Sequence, residues 1–269
     1  MAIELLTSAQ AAQLLGVGPT TVKRWADAGL ISCVKTAGNH RRFPRAEVER
    51  LLARDHTDAA VAADAAAWIR LLAGEEPLQE VQASLLAARA RVTTWWQVAD
   101  AFEPVLRELG ERWASGELSV IEEHVASERL ARALAATAHA LPTPRDAPRA
   151  LLTVAEGEDH TLGLSLAELV LREAGWAARW AGRRTPLAEV TALVRSGGLA
   201  AVALSASAFS VNAEELSRQA AQVATACRAA KIPLLLGGKG SWPEHRPGTY
   251  RLRTFAQLHQ LLETLGPLI

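Results

Sequence analysis

From residue 150 onward, apolar runs of strand length alternate with amphipathic runs of helix length, and this alternation constrains the fold more than any other feature of the chain. ALLTVAE, WAARWAG, LAAVALSAS, IPLLLGG and TYRLR read as strands. TLGLSLAELVLREAG, PLAEVTALVRSG and NAEELSRQAAQVATACRAA lie between them with helical periodicity, and FAQLHQLLETLG closes the series. Strands that alternate with helices imply a parallel sheet covered on both faces. Near-continuous apolar strands suit positions buried on both sides. Ligands of such sheets bind beyond the carboxyl ends of the strands, which is where GEDHTLG (157–163), ALSASAF (203–209) and LLLGGKG (234–240) fall.

The rest of the 269-residue chain reads as two helical segments. Residues 58–140 are rich in Ala and Leu, and turn signals divide them into helices at roughly 58–73, 78–91, 94–114 and 118–140, enough for a four-helix bundle. LPTPRDAPR, with three prolines in nine residues, reads as a linker. Near the N-terminus, Thr7 or Ser8 can cap AQAAQLLG, and Gly16 ends that helix. VGPTTVKRWADAG is a second short helix, with Pro19 in the first turn and Gly29 at its end. LISCVKTAGNHRRF then reads as two strands around a polar turn, a wing, before a last helix in PRAEVERLL. The expected division is 1–54, a winged helix-turn-helix; 55–140, the bundle; 141–149, the linker; and 150–269, the parallel-sheet domain.

Formal net charge is zero, but residues 1–54 carry eight Lys or Arg against four acids, an excess of four. A small basic module on a slightly acidic body suits a polyanion partner. No apolar run approaches the roughly 20 residues of a membrane helix, and MAIELLTSAQ lacks the basic start and apolar core of a signal peptide. The expectation is therefore a cytoplasmic protein with no membrane partner. Cys33 and Cys227 are isolated, with no zinc-type spacing. Eight tryptophans stand against one tyrosine, and Trp68, Trp95, Trp96 and Trp113 cluster between residues 60 and 120.

TSAQAAQLLGVGPTTVKRWADAGLI followed by TAGNHRRF resembles the MerR family of DNA-binding proteins over nearly all of residues 5–52. Thr20, Thr21, Lys23 and Arg24 fall on one side of the second helix, where base edges and phosphates can be met. His40, Arg41 and Arg42 in the wing offer phosphate contacts or minor-groove insertion, and Trp25 anchors the helix. The resemblance implies operator DNA as partner and self-association, since members of the family bind two-fold symmetric operators as dimers.

Glu158-Asp159-His160-Thr161-Leu162-Gly163 fits (Asp/Glu)-x-His-x-x-Gly. With Ser205-Ala206-Ser207 and Gly237-Gly238 after later strands, it resembles cobalamin-binding domains of the flavodoxin-like, Rossmann-like kind. Ser207 departs from the Leu or Thr more common at its position. A neutral imidazole is a good ligand for cobalt. His160 is the expected lower axial ligand, and Glu158 the acceptor that fixes its tautomer. The resemblance implies that Gly163 lets a nucleotide tail pass, that Ser205 hydrogen-bonds it, and that Gly237 and Gly238 clear its path.

Trp113, nine residues, then Glu123-His124 resembles the cap of light-sensing, adenosylcobalamin-dependent MerR repressors of the CarH/LitR type. That resemblance implies that Trp113 covers the adenosyl group, with Glu123 and His124 near its ribose or base. It also implies a dark homotetramer built from dimers, which releases operator DNA once light breaks the cobalt–carbon bond. Ala114 stands where well-known members have a histidine that binds cobalt in the light. A water, His124 or His139 could replace that ligand, the photoproduct could leave, or the Trp-rich bundle could house a second tetrapyrrole, a bilin. The expectation is thus a cobalamin-dependent transcriptional repressor and no enzyme. The alternatives are a subunit of a cobalamin-dependent methyltransferase or mutase, a light-independent cobalamin sensor, and a repressor whose C-terminal domain has lost the corrin.

Overall fold

The computed structural model describes residues 4–15, 18–27, 31–36, 38–53, 65–244 and 247–265. The chain forms two compact units, Met1–Pro142 and Thr143–Ile269.

The first unit opens on a strand, β1 (Leu5–Thr7), that sequence pattern did not reveal. Three residues are too few to display a period. The strand exists because Leu6 pairs with Phe43 of β3 (Arg41–Pro44), and both are buried. β2 (Val34–Lys35) flanks β3 on its other side, so the wing is a three-stranded antiparallel sheet in the order β1-β3-β2. Between β1 and β2 lie α1 (Ser8–Leu14) and α2 (Pro19–Asp27), and α3 (Arg45–Ala53) follows the wing. The choice between Thr7 and Ser8 falls on Thr7. Its hydroxyl accepts the Gln10 N–H at 3.2 Å, while Gln10 Oε1 accepts the Thr7 N–H at 2.9 Å. The helix ends expected at Gly16 and Gly29 lie outside the described residues.

The bundle helices are α4 (Ala65–Ala73), α5 (Leu78–Arg91), α6 (Trp95–Ala114) and α7 (Val120–Ala140). Residues 58–64, where the first was expected to begin, lie outside the described residues. Trp68 and Trp95 are buried, and Trp68 meets Phe102 edge-on with centroids 4.6 Å apart. The α4–α5 turn needs glycine at 74, where a Cβ would come within 2.8 Å of the Arg70 carbonyl oxygen. The Arg129 guanidinium fastens that turn from α7 by donating to the Glu76 carbonyl at 2.6 Å.

The second unit contains β4 (Arg149–Val154), α8 (Leu162–Glu173), β5 (Ala177–Gly182), α9 (Leu187–Ser196), β6 (Ala201–Ser205), α10 (Ala213–Ala230), β7 (Leu234–Gly237), β8 (Thr249–Arg251) and α11 (Phe255–Leu265). All strand pairs are parallel, in the order β5-β4-β6-β7-β8. α8 packs with α11 and α9 with α10. The most apolar strands, β4, β6 and β7, are the buried central ones. TYRLR gives a shorter strand than expected, because β8 is an edge and pairs only with β7. Chain direction across the sheet reverses between β4 and β6, which makes the carboxyl ends of these strands the switch point for ligand binding. Among the described residues, no helix is long and apolar enough to cross a membrane.

Candidate functional site

The turn after β4 is organised by a buried carboxylate. Glu158, 2 % exposed, accepts the N–H groups of Asp159 and His160 on Oε1 at 3.0 and 2.8 Å. His160 Nδ1 lies 2.5 Å from the same oxygen. Oε2 accepts the Ser207 N–H at 2.7 Å, so the turns after β4 and β6 share one acid. Burial alone would raise the Glu158 pKa. The donors from His160 and Ser207 outweigh burial and hold it at about 2. An ionised carboxylate only accepts hydrogen bonds, so the hydrogen between the two side chains resides on Nδ1. In the neutral imidazole, the metal-binding lone pair is then on Nε2. The His160 side chain is 62 % exposed.

Neighbours hold this turn in place. Gln219 of α10 accepts the Glu156 N–H at 2.9 Å and donates to its carbonyl at 3.2 Å. Asp159 takes a two-pronged ion pair from Arg184, both contacts at 3.0 Å. Ser207 Oγ lies 3.3 Å from His160 Nδ1 and accepts the Phe209 N–H at 3.1 Å. The Phe209 ring stands 6.1 Å from the His160 ring.

The three motifs meet at this end of the sheet. Ser205 ends β6 and is buried, and its carbonyl accepts the Ala155 N–H at 2.8 Å. Gly237 ends β7 beside it. The glycines differ in what demands them. A Cβ on Gly163 or Gly237 would meet nothing within 4 Å, so both face open space. At Gly238, φ is +80° and a Cβ would lie 2.2 Å from the Ala206 carbonyl oxygen. Gly238 is therefore required by the approach of two loops of this chain, in addition to any path it clears for a ligand.

These residues fit cobalamin. One exposed imidazole with an oriented tautomer could serve as a single axial ligand, and open space beside Gly163 and Gly237 leaves room for a bulky ligand at the switch point. Among the described residues, no group of three or more His, Cys, Asp and Glu could enclose a metal ion as a structural zinc site does.

In the first unit, Thr20 and Lys23 are exposed on α2, as is His40 in the wing. The side chains of Thr21 and Arg24 lie outside the described residues. Arg41 and Arg42 separate. Alternation along β3 puts Arg41 on the same face as the buried Phe43, and its Nη2 meets Asp27, the last residue of α2, at 2.5 Å. Its Nε is buried without a partner. A phosphate fork from Arg41 would have to break this pair, whereas Arg42 lies on the opposite face.

Trp113 is in the last turn of α6 and 43 % exposed. The Gly116 N–H donates to its carbonyl at 3.0 Å and turns the chain toward α7. Ser119 caps α7, and Glu123 Oε1 accepts the Ser127 hydroxyl at 2.6 Å. His124 is exposed, 3.7 Å from Glu123. Val120, Ile121 and Val125 join Trp113 as exposed apolar side chains, three residues that sequence reading passed over. Their signal was Val-Ile in the first turn of an amphipathic helix, a position that a core-facing stripe does not need.

Residues 5–56 match the helix-turn-helix domain family, and residues 52–137 match the B12 binding domain family. The chain is 37 % identical over 87 residues to the HTH-type transcriptional repressor CarH of Myxococcus xanthus, covering 32 % of this chain and 29 % of that protein. To the HTH-type transcriptional repressor CarA of the same organism it is 33 % identical over 150 residues, 55 % of this chain and 49 % of that protein. The chain thus spans half or less of the curated relatives it matches. Among solved structures, the monomethylamine corrinoid protein of Methanosarcina barkeri covers 74 % of this chain and 96 % of its own at a TM-score of 0.53 and 14 % identity, a likeness of fold. The first half of the chain thus matches a helix-turn-helix domain model followed by a B12 binding domain model, and the chain is similar to transcriptional repressors of the CarH type.

Proposed function

We propose that this protein is a cobalamin-dependent transcriptional repressor that responds to light. The single observation that carries the reading is the Glu158–His160 pair at the switch point of a parallel sheet, in a chain whose residues 5–56 match the helix-turn-helix domain family. His160 would hold cobalt through Nε2, while Glu158 keeps the proton on Nδ1 and raises the basicity of the ring. Ser205, with the open ground beside Gly163 and Gly237, would receive the nucleotide tail. Adenosylcobalamin would supply a cobalt–carbon bond that light breaks. In the same reading, Trp113, Glu123 and His124 recognise the adenosyl group, so the protein binds the intact ligand and its photoproduct with different affinity. Only such a difference can shift an equilibrium between two assemblies.

Thr20, Lys23, His40 and Arg42 would meet operator DNA, with Thr21 and Arg24 beside them on α2. Each half-site alone offers few contacts, so a cytoplasmic dimer or tetramer that dissociates also loses its operator. Ala114 has no donor atom for cobalt, and this reading assigns the light state no ligand from that position.

The test is size-exclusion chromatography with absorption spectra on the full chain, loaded with adenosylcobalamin in the dark and then illuminated. The expected result is co-elution of the cofactor in the dark, and a change in both spectrum and size on illumination. A change in spectrum alone would leave a cobalamin protein whose signal does not pass through its oligomeric state. No co-elution would refute the reading.

A further inference from the structure

The turn that ends at His160 is held by its own neighbours, but the turn after β7 is held from the edge of the sheet. Arg251, the last residue of β8, spreads its guanidinium over four backbone carbonyls. Nη1 donates to Leu252 at 2.8 Å and Leu236 at 3.2 Å, and Nη2 donates to Gly238 at 2.8 Å and Gly240 at 3.3 Å. Trp242, buried, adds a bond from Nε1 to the Gly237 carbonyl at 2.8 Å. Arg251 thus bonds the carbonyls of Gly238 and Gly240 from β8, while the Gly237 carbonyl takes the indole of Trp242 from within the same connection.

The same loop presses on the turn after β6. The Gly240 N–H donates to the Ala206 carbonyl at 2.9 Å, and the Ala206 N–H donates to Gly237 at 3.3 Å. The next residue along is Ser207, whose N–H is bound by Glu158, which in turn fixes His160. Hydrogen bonds joined by short stretches of backbone therefore lead from Arg251 at one sheet edge to the imidazole at the switch point.

We propose that Arg251 is a positioning residue for the cofactor site: its guanidinium fixes the Gly237–Gly240 loop against the Ser205–Ser207 turn and so preforms the floor that receives the nucleotide tail. Arg suits the role and Lys does not, because only a planar fork reaches several carbonyls in fixed directions, while an ammonium acts as a point charge. Burial lowers the pKa of the guanidinium, as expected for a cation bound to neutral carbonyls with no carboxylate among these four partners. An unfixed glycine loop would have to be ordered when ligand binds, and that cost would appear as lost affinity.

This inference rests on the cobalamin reading of the second unit, and the experiment separates the two. Adenosylcobalamin is titrated in the dark into the full chain, wild type, Arg251→Gln and Arg251→Lys, with binding followed by absorption and apo melting temperatures measured in parallel. The expected result is a cobalamin affinity about 10- to 100-fold weaker in Arg251→Gln, the range typical for loss of a residue that orients a site from behind. Arg251→Lys would not restore the affinity, and the spectrum at saturation would still be that of histidine-ligated cobalt. If the wild type binds and Arg251→Gln binds as tightly while only its apo melting temperature falls, Arg251 is structural and the inference is overturned. Recovery of affinity in Arg251→Lys would overturn the argument from fork geometry. If the wild type itself does not bind, the cobalamin reading is what has failed.

Discussion

Replacing Glu158 by Gln keeps the shape of the side chain and removes its charge, and the structure sets the size of the effect. The carboxylate is buried, takes three backbone N–H groups and the His160 ring, and titrates at about 2 against an ordinary 4.5. A folded-state pKa below the unfolded one contributes stability that is complete above about 4.5 and lost as pH falls toward 2. A little over two pH units at 1.36 kcal/mol each gives about 3 kcal/mol at neutral pH. Glutamine would also turn an NH2 group toward donors, in line with the roughly 1–3 kcal/mol cost of an unsatisfied buried polar group. Calorimetric unfolding of the full chain should therefore show the transition of the second unit lowered by about 10 °C in Glu158→Gln at pH 7. The gap should narrow steadily from pH 4.5 downward, because only the wild type has this group to protonate. Glu215 also titrates low, but it does so in both proteins and cancels in the difference, while Asp159, held low first by Arg184, would go lower still once the Glu158 charge is gone. A variant as stable as the wild type at pH 7, or a gap of constant size down to pH 2.5, would refute the hydrogen-bond account of this turn.

Two further predictions follow from the glycines and the wing. Gly238→Ala should destabilise the second unit by about 2 kcal/mol or more, given its positive φ and the Ala206 carbonyl in its way. Gly163→Ala should leave the apo-protein as stable, or up to about 1 kcal/mol more so, because it adds an alanine to a helix turn facing open space, yet it should weaken cobalamin binding. Equal losses of stability in the two variants would contradict this distinction. Operator binding measured against salt concentration separates the wing arginines. Arg42→Ala should reduce the slope of log affinity against log salt by about 1, while Arg41→Ala should weaken binding with the slope unchanged. A reduced slope in Arg41→Ala would mean that Arg41 leaves Asp27 for a phosphate.

The order of elements in the second unit was legible because period and length agree in every segment, and central strands of unbroken apolar residues identify themselves. β1 was not legible, because its existence depends on Phe43, more than thirty residues away. The triad of turns was readable as spacing, since strand ends of one parallel sheet come together whatever the intervening helices contain. What spacing does not convey is which partner a polar side chain takes. HRR gives equal weight to Arg41 and Arg42, and only strand alternation in the folded wing sends the first toward Asp27. Gly-Gly signals close approach without saying to what, and the answer at Gly238 is a carbonyl of the neighbouring turn. Arg251 left no trace at all, because its four acceptors are main-chain atoms that any sequence supplies.

The central claim is that His160 is a cobalt ligand in a preformed site, and the most direct measurement is an equilibrium titration of adenosylcobalamin in the dark, followed by absorption, for the wild type and His160→Ala. The account predicts saturable one-to-one binding by the wild type with the spectrum of nitrogen-ligated cobalt, and markedly weaker binding by His160→Ala with that signature lost. Absence of binding by the wild type, or identical affinity and spectra in the two proteins, would contradict it.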